Sequence, residues 1–275
     1  MFFLDILKAD FIKGFIRLTE DGFQKGWHER NGGNLSYRIS IEEIDSVKEN
    51  LKGNHQWTRI GVAVPELAGE YFLVTGSGKY MRNVILAPQD NIAIIKIDDQ
   101  GLKYDVVWGL KNGGVPTSEL STHLANHSIK KQLSKGKNRV IYHAHTPNLM
   151  ALTFVLPLED KVFTRELWEM ATENSIVFHQ GIGVLPWMIA GSADIAEATA
   201  SLMKKYDAVV WAYHGLFVAG NNLDEAFGLM DTIEKAAEIY SRVMSMGGKK
   251  HTITKENLLS LAESFSLKLP TEFLD

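Results

Sequence analysis

Short apolar runs that predict β-strands alternate along this chain with stretches of helical periodicity, and this alternation limits the fold more than any other feature. No change in composition marks a linker, so we predict one α/β domain over residues 1–275. The polar stretch 41–70 is predicted to be a loose excursion. The predicted strands are 35–39, 71–76, 92–97, 104–109, 139–145, 181–186 and 208–215, and the predicted helices are 4–26, 118–132, 162–174, 192–206, 222–246 and 255–266.

The composition excludes several classes of function. A net charge of −4 argues against a non-specific nucleic-acid partner. The absence of cysteine excludes disulfides, thiolate zinc sites and thiol nucleophiles, and it is consistent with a cytoplasmic protein. Asp5, Lys8, Asp10 and Lys13 interrupt the apolar start at helical intervals, which predicts an amphipathic helix rather than a signal peptide. No window approaches the roughly 18 apolar residues of a membrane span, so no membrane partner is expected.

Two histidines stand two residues apart at the end of the apolar run 139–145. Side chains at i and i+2 of a strand point to the same face, so His143 and His145 present two ring nitrogens from one edge. His214 ends another apolar run and is followed by Gly215. If these strand ends converge, three His ligands with open positions would form a catalytic metal site. The alternative is a set of hydrogen-bonded histidines at strand ends.

A second histidine pair, His123 and His127, has the i, i+4 spacing of a helical metalloprotease motif. Leu124 occupies the position where that motif needs its glutamate. A peptidase would therefore lack its general base, and we interpret the pair as ordinary residues of a helix face.

Glu119 follows the segment VPTS at the predicted start of a helix. An acidic residue is common there, because the helix dipole stabilises negative charge at its N-terminus. The alternative is a carboxylate near the metal that acts as a base or as a fourth ligand.

Two glycine turns could hold an anion. In TGSGK, 75–79, successive backbone N–H groups can form a nest, and Ser77 adds a hydroxyl donor. The spacing of a nucleotide-binding P-loop is missing, and taken alone the segment is better explained as a tight turn. The turn NGGN, 31–34, has the same two interpretations.

Taken together, the motifs resemble those of the class II aldolase/adducin family. The segment VFTRELWE is the most specific of them and separates a subgroup of aldolases from shorter members. We see no departure at the positions that matter, although nothing is carried over to residues 41–70. From near residue 20 to near residue 250, the resemblance rests in order on GWHERNGGNLSYR, FLVTGSGKYMRNV, WGLKNGGVPTSELSTH, VIYHAHTPNL, VFTRELWEMATE and GLFVAGNNLDEAFGLMDTIEKAAE.

The resemblance implies a three-layer α/β/α sandwich around a mixed, mostly antiparallel sheet, assembled as a homotetramer. It implies metal-dependent retro-aldol cleavage of a ketose 1-phosphate, with one Zn²⁺ per subunit. Glu119 would be the central acid/base, and Glu173 would serve the aldehyde half, in its own or a neighbouring subunit's site. The implied zinc ligands are His143, His145 and His214, and the implied phosphate and ketose contacts are Asn31, Gly32, Asn34, Ser77, Gly78 and Ser118.

Three other functions remain open on the sequence. An aldolase or epimerase for a different sugar phosphate would keep the metal site and change only the aldehyde pocket. A non-catalytic adducin-like module predicts eroded ligands, yet the three histidines and Glu119 are present. A metal-dependent hydrolase would not explain two phosphate turns.

Overall fold

One nine-stranded sheet runs through the molecule. The computed structural model describes residues 5–53 and 55–274. The strand order is β2-β5-β4-β3-β1-β6-β9-β8-β7, and all neighbours are antiparallel except β7 and β8. The predicted mixed, mostly antiparallel sheet is therefore confirmed. The strands are β1 Asn34–Ile39, β2 Thr58–Arg59, β3 Tyr71–Thr75, β4 Ile92–Ile97, β5 Lys103–Gly109, β6 Val140–Ala144, β7 Gly183–Leu185, β8 Ala208–Trp211 and β9 Gly215–Gly220.

Helices cover both faces of this sheet. Helix α9 packs on β6 and β9 together with α1 and α5, whereas α4 packs against α8 on the other face. Successive side chains of β6 point to opposite faces of the sheet. Tyr142 therefore lies in the core between the sheet and α9, and Ile141 lies in the core between the sheet and α8. The three-layer α/β/α arrangement is thus confirmed. The helices are α1 Asp10–Gln24, α2 Ile41–Val47, α3 Pro88–Asn91, α4 Leu120–Leu133, α5 Pro147–Leu152, α6 Asp160–Trp168, α7 Asn174–Val177, α8 Ala193–Met203, α9 Leu223–Ser245 and α10 Lys255–Ser264. No helix among the described residues is long and apolar enough to cross a membrane.

Side-chain caps begin several of these helices. Ser192 accepts a hydrogen bond from the backbone of Ile195 at the start of α8. Asn222 caps α9 through the backbone N–H of Glu225. Ser40 and Glu43 form a reciprocal capping box at α2. The prediction of a loose excursion over 41–70 was therefore wrong at its start, although the signal Ser-x-x-Glu was present in the sequence.

Three predicted boundaries differ in the structure. The predicted strand 208–215 ends at Trp211, because the chain reverses over 212–214, where Tyr213 has a φ of 64°, and returns as β9. The helix predicted over 162–174 ends at Trp168 and is followed by the short α7. The first α-helix begins at Asp10 after a 3₁₀ turn, and Leu4 of the predicted helix lies outside the described residues.

Candidate active site

The site forms where β1 begins and β3 and β6 end. Because β1 is antiparallel to both neighbours, its first residue lies at their carboxyl ends, and Asn34 pairs directly with His143. The backbone N–H of Leu35 donates to Thr75 Oγ1 (3.2 Å), and that of Thr117 donates to the carbonyl of Thr75 (2.9 Å). These bonds bring the turns 31–34 and 75–79 and the loop before α4 to one end of the sheet.

The three predicted metal ligands meet at this end. One ligand nitrogen from each of His143, His145 and His214 lies within 4.8 Å of the other two. His143 lies in β6, and His145 follows that strand. His214 lies in the turn between β8 and β9 rather than in a strand. Their convergence therefore depends on the pairing of β6 with β9 as much as on the spacing of the first two.

The protonation of these rings fits a metal. His143 is fully buried, and its Nδ1–H donates to the carbonyl of Leu216 (3.1 Å), which leaves Nε2 without a proton, 3.3 Å from His214 Nε2. Burial holds the pKa of His143 well below its usual value and lowers the pKa of His214 to about 4. Both rings are therefore neutral at neutral pH, the form that binds a cation.

Glu29 is a contact that the sequence analysis missed. Its Oε1 lies 2.5 Å from Nδ1 of His145, so the carboxylate orients the ring. The neighbouring Gly32 has no room for a side chain, because a Cβ there would lie 2.8 Å from the same nitrogen. No spacing rule connects Glu29 with a histidine 116 positions away, so only the fold reveals the pair.

His28 holds the turn 31–34 in place through a hydrogen bond to its backbone. It is buried, with Nδ1 bonded to the carbonyl of Gly32 (3.0 Å) and Nε2 to the hydroxyl of Tyr142 (2.7 Å). Gly33 has a φ of 75°, and a Cβ at that position would lie 2.5 Å from His28 Nδ1. The turn therefore needs glycine, while Asn31 stands exposed beside it.

Glu119 faces the histidines rather than its own helix. It is the N-cap residue of α4, but its side chain makes no capping hydrogen bond. The carboxylate is 7% exposed, accepts from Asn34 Nδ2 (2.9 Å) and lies 3.8 Å from His143 Nε2. Burial raises its pKa, which the hydrogen bond from Asn34 partly offsets. Of the two interpretations of Glu119, a carboxylate beside the candidate metal site fits this geometry better than a simple helix-dipole contact.

The TGSGK turn does not form a full nest of free backbone amides. The N–H groups of Gly76, Ser77 and Lys79 donate to backbone carbonyls within the fold. Within the described ranges, the hydroxyl of Ser77 and the N–H of Gly78 have no hydrogen-bond partner. A bridge between Gly76 and Pro116 places this turn beside the exposed Ser118. Any anion here would be held by two hydroxyls and one amide rather than by a full nest.

Glu173 is not joined to this cluster within the chain. It is exposed and precedes α7, which packs on α6, α9 and α10. No hydrogen bond or ion pair among the described residues connects its carboxylate with the three histidines.

His123 and His127 lie apart from the candidate metal ligands. Both are fully buried on the face of α4 that packs against the sheet, where both are bonded to Ser36 Oγ. Neither belongs to a group of metal-ligating side chains in the part of the chain that the structure describes.

The chain is similar to several known aldolases in sequence and in fold. A rhamnulose-1-phosphate aldolase from Mannheimia succiniciproducens is 51% identical over 263 residues, which cover 96% of this chain and 97% of that protein. The enzyme of the same name from Yersinia pseudotuberculosis is 47% identical over 98% of both chains. The structure of a sugar-phosphate aldolase from Thermotoga maritima superposes with a TM-score of 0.75 at 28% identity, covering 87% of this chain and 97% of that one. An L-fuculose 1-phosphate aldolase shares the fold, with a TM-score of 0.60 at 20% identity over 94% of this chain and 98% of that one.

The family model for the class II aldolase and adducin N-terminal domain matches residues 14–241, a range that contains every candidate site residue named above. The chain belongs to the class II aldolase and adducin family.

Proposed function

We propose that this protein is a lyase that carries out the zinc-dependent retro-aldol cleavage of L-rhamnulose 1-phosphate. The products are dihydroxyacetone phosphate and L-lactaldehyde, and the reaction belongs to L-rhamnose catabolism. The observation that carries the proposal is the buried carboxylate of Glu119 beside three converging histidine nitrogens. Relatives at 47–51% identity over nearly the whole chain are rhamnulose-1-phosphate aldolases, which supports this choice of substrate.

Zinc is the metal that this set of ligands fits best. His143, His145 and His214 would hold one ion per subunit, and three neutral ligands leave the ion its full positive charge and an open position. The chemistry that zinc supplies when bound is Lewis-acid stabilisation of the negative charge that cleavage leaves on the ketose oxygens. No lysine Schiff base is needed.

Glu119 moves the proton at C3. In cleavage the C3–C4 bond breaks, its electron pair stays on C3, and the C4 hydroxyl gives its proton to Glu173 as the aldehyde forms, while Glu119 enters the step protonated. Glu119 then returns a proton to C3, and in the synthetic direction it removes that proton from dihydroxyacetone phosphate. Burial raises the pKa of this carboxyl, which suits a group that must both accept and return a proton near neutral pH.

The two glycine turns and Ser118 hold the phosphate end of the substrate. Among the described residues, the hydroxyl of Ser77 and the amide of Gly78 are the free donors of their turn, and Asn31, Gly32 and Asn34 would contact the phosphate and the neighbouring ketose oxygens. Asn34 gives one amide hydrogen to Glu119 and keeps a second one for the substrate. Binding energy from the phosphate, remote from the bond that breaks, orients the ketose.

Replacing Ser77 or Ser118 by Ala should weaken binding of dihydroxyacetone phosphate and leave zinc in place. Each hydrogen bond lost to a charged group corresponds to about 1.5–3 kcal/mol of binding free energy. Isothermal titration calorimetry, paired with metal analysis of the same samples, measures both quantities. Unchanged affinity in Ser77→Ala would mean that TGSGK is a structural turn only.

Glu173 serves the aldehyde half from a neighbouring subunit of a homotetramer. Its exposure and its separation from the three histidines within one chain support a role across a subunit boundary. Glu173→Gln should slow cleavage of L-rhamnulose 1-phosphate while deuterium exchange at C3 of dihydroxyacetone phosphate, which needs no aldehyde, continues. An equal loss of both rates would contradict this role.

The substrate is tested directly with two ketose phosphates. Purified protein with zinc should release dihydroxyacetone phosphate from L-rhamnulose 1-phosphate much faster than from L-fuculose 1-phosphate, at equal concentrations. A preference for L-fuculose 1-phosphate would move the protein to a different aldolase of the same fold. No release from either would contradict an aldolase function.

We place this activity in the cytoplasm, in a single domain that spans the chain.

A further inference from the structure

A row of buried polar side chains leads away from Glu119 along α4. Glu119, His123 and His127 follow one another at intervals of four residues and share the face of α4 that packs on the sheet. Asn34 and Ser36 lie two residues apart on one face of β1. Four helical residues rise about 6 Å and two strand residues about 6.6 Å, so the two rows stay in register.

Hydrogen bonds join these two rows alternately. Asn34 donates to Glu119 Oε2 (2.9 Å), and its Oδ1 is bonded to His123 Nε2. Ser36 Oγ lies 2.6 Å from His123 Nδ1 and 2.8 Å from His127 Nε2. All five residues are at most 7% exposed, so water does not supply alternative partners.

The chemistry of these groups sets the direction of every bond. Burial lowers the pKa of His123 to about 3 and that of His127 well below its usual value, so each ring carries one N–H. Asn34 Oδ1 can only accept, which puts the proton of His123 on Nε2 and leaves Nδ1 to accept from the Ser36 hydroxyl. His127 must then donate from Nε2 to Ser36, and its Nδ1 has no partner among the described residues. Each donor therefore points toward Glu119.

We propose that His123, held by Ser36 and His127, is a positioning residue that sets the orientation of the Asn34 amide and, through it, the carboxylate of Glu119. This role rests on the proposed proton transfer at Glu119. If the amide were rotated by half a turn, Asn34 Oδ1 would face the carboxylate and Nδ2 would face the N–H of His123. Both bonds would be lost, so the hydrogen bond from His123 stabilises the amide orientation that holds Glu119 beside His143.

Two substitutions at one position separate positioning from packing. His123→Phe keeps the volume of the ring and removes both nitrogens, whereas His123→Gln keeps a donor near the position of Nε2. Thr164→Val serves as the stability control, because it removes a buried hydrogen bond to the backbone of Ile182 on the other side of the sheet. Zinc content and melting temperature are measured for every variant.

In zinc-loaded His123→Phe, deuterium exchange at saturating dihydroxyacetone phosphate should fall about ten-fold, the change expected for one hydrogen bond. The KM for dihydroxyacetone phosphate should change less than the exchange rate, since only the Asn34 contact is disturbed and the contacts proposed for Ser77, Gly78 and Ser118 are intact. His123→Gln should recover most of the rate, and Thr164→Val should keep the wild-type rate. Equal rates in the Phe and Gln variants, or a loss in Thr164→Val that matches its loss of stability, would overturn the proposal.

A second measurement tests the network without activity. Long-range ¹H–¹⁵N correlation spectra of the zinc-loaded wild-type protein should show His123 and His127 as neutral Nε2–H tautomers, with His123 assigned by its absence in His123→Gln. An Nδ1–H tautomer at His123 would contradict the proposal whatever the protein catalyses. Wild-type protein that exchanges no deuterium but shows the expected tautomers would contradict the proposed function and leave the network standing.

Discussion

His143→Ala should purify without bound zinc and should lose L-rhamnulose 1-phosphate cleavage by at least about a hundred-fold. His143 is fully buried between its bond to the carbonyl of Leu216 and the ring of His214. Alanine there removes one of three nitrogens and opens a cavity that no neighbouring ligand fills. Metal analysis of the purified protein and an enzyme-coupled assay for dihydroxyacetone phosphate measure the two effects together.

His127→Ala is the matched control for this loss. It is also a fully buried histidine, but it lies outside the group of three nitrogens. This variant should keep its zinc even if its melting temperature falls. Full zinc occupancy in both His143→Ala and His214→Ala would disprove the ligand assignment.

Glu119→Gln should retain zinc and lose both deuterium exchange and cleavage. The amide preserves the size of the side chain but cannot accept the C3 proton, and general base catalysis contributes about 10²–10⁴ to the rate. The loss should appear in exchange as well as in cleavage, because both reactions need the same proton transfer at C3. NMR spectroscopy of deuterium-labelled dihydroxyacetone phosphate follows the exchange step alone.

Glu173→Gln provides the comparison for this variant, since it should spare exchange. Normal exchange in zinc-loaded Glu119→Gln would mean that another group is the base. The assignment of roles to the two glutamates would then be wrong.

Local signals in the sequence were enough to predict most of the elements. Strands β4 and β6 lie where their apolar runs predict them. Helices α8 and α9 begin beside the capping residues Ser192 and Asn222, which are local signals in the sequence. The boundary between β8 and β9 was missed because a single tight turn through Tyr213 interrupts one continuous apolar run. Periodicity cannot show where such a run reverses.

The group of three histidines was predictable from spacing only in part. His143 and His145 share one strand end, but the third candidate ligand, His214, needs the pairing of β6 with β9. The bond of Glu29 to His145 spans 116 positions and has no local signal. The row formed by Glu119, His123 and His127 does have a local signal, which is the four-residue interval along α4. The hydrogen bonds of this row, however, depend on the strand that faces it.

The most direct test of the account is a zinc titration of metal-free protein with L-rhamnulose 1-phosphate as substrate. Release of dihydroxyacetone phosphate should rise in proportion to added zinc and stop rising at one ion per chain, because three histidines form one site. Full cleavage by the metal-free protein, abolished by borohydride in the presence of substrate, would reveal a Schiff-base lysine and contradict the account. The account would also be contradicted if the protein bound one zinc per chain and released no dihydroxyacetone phosphate.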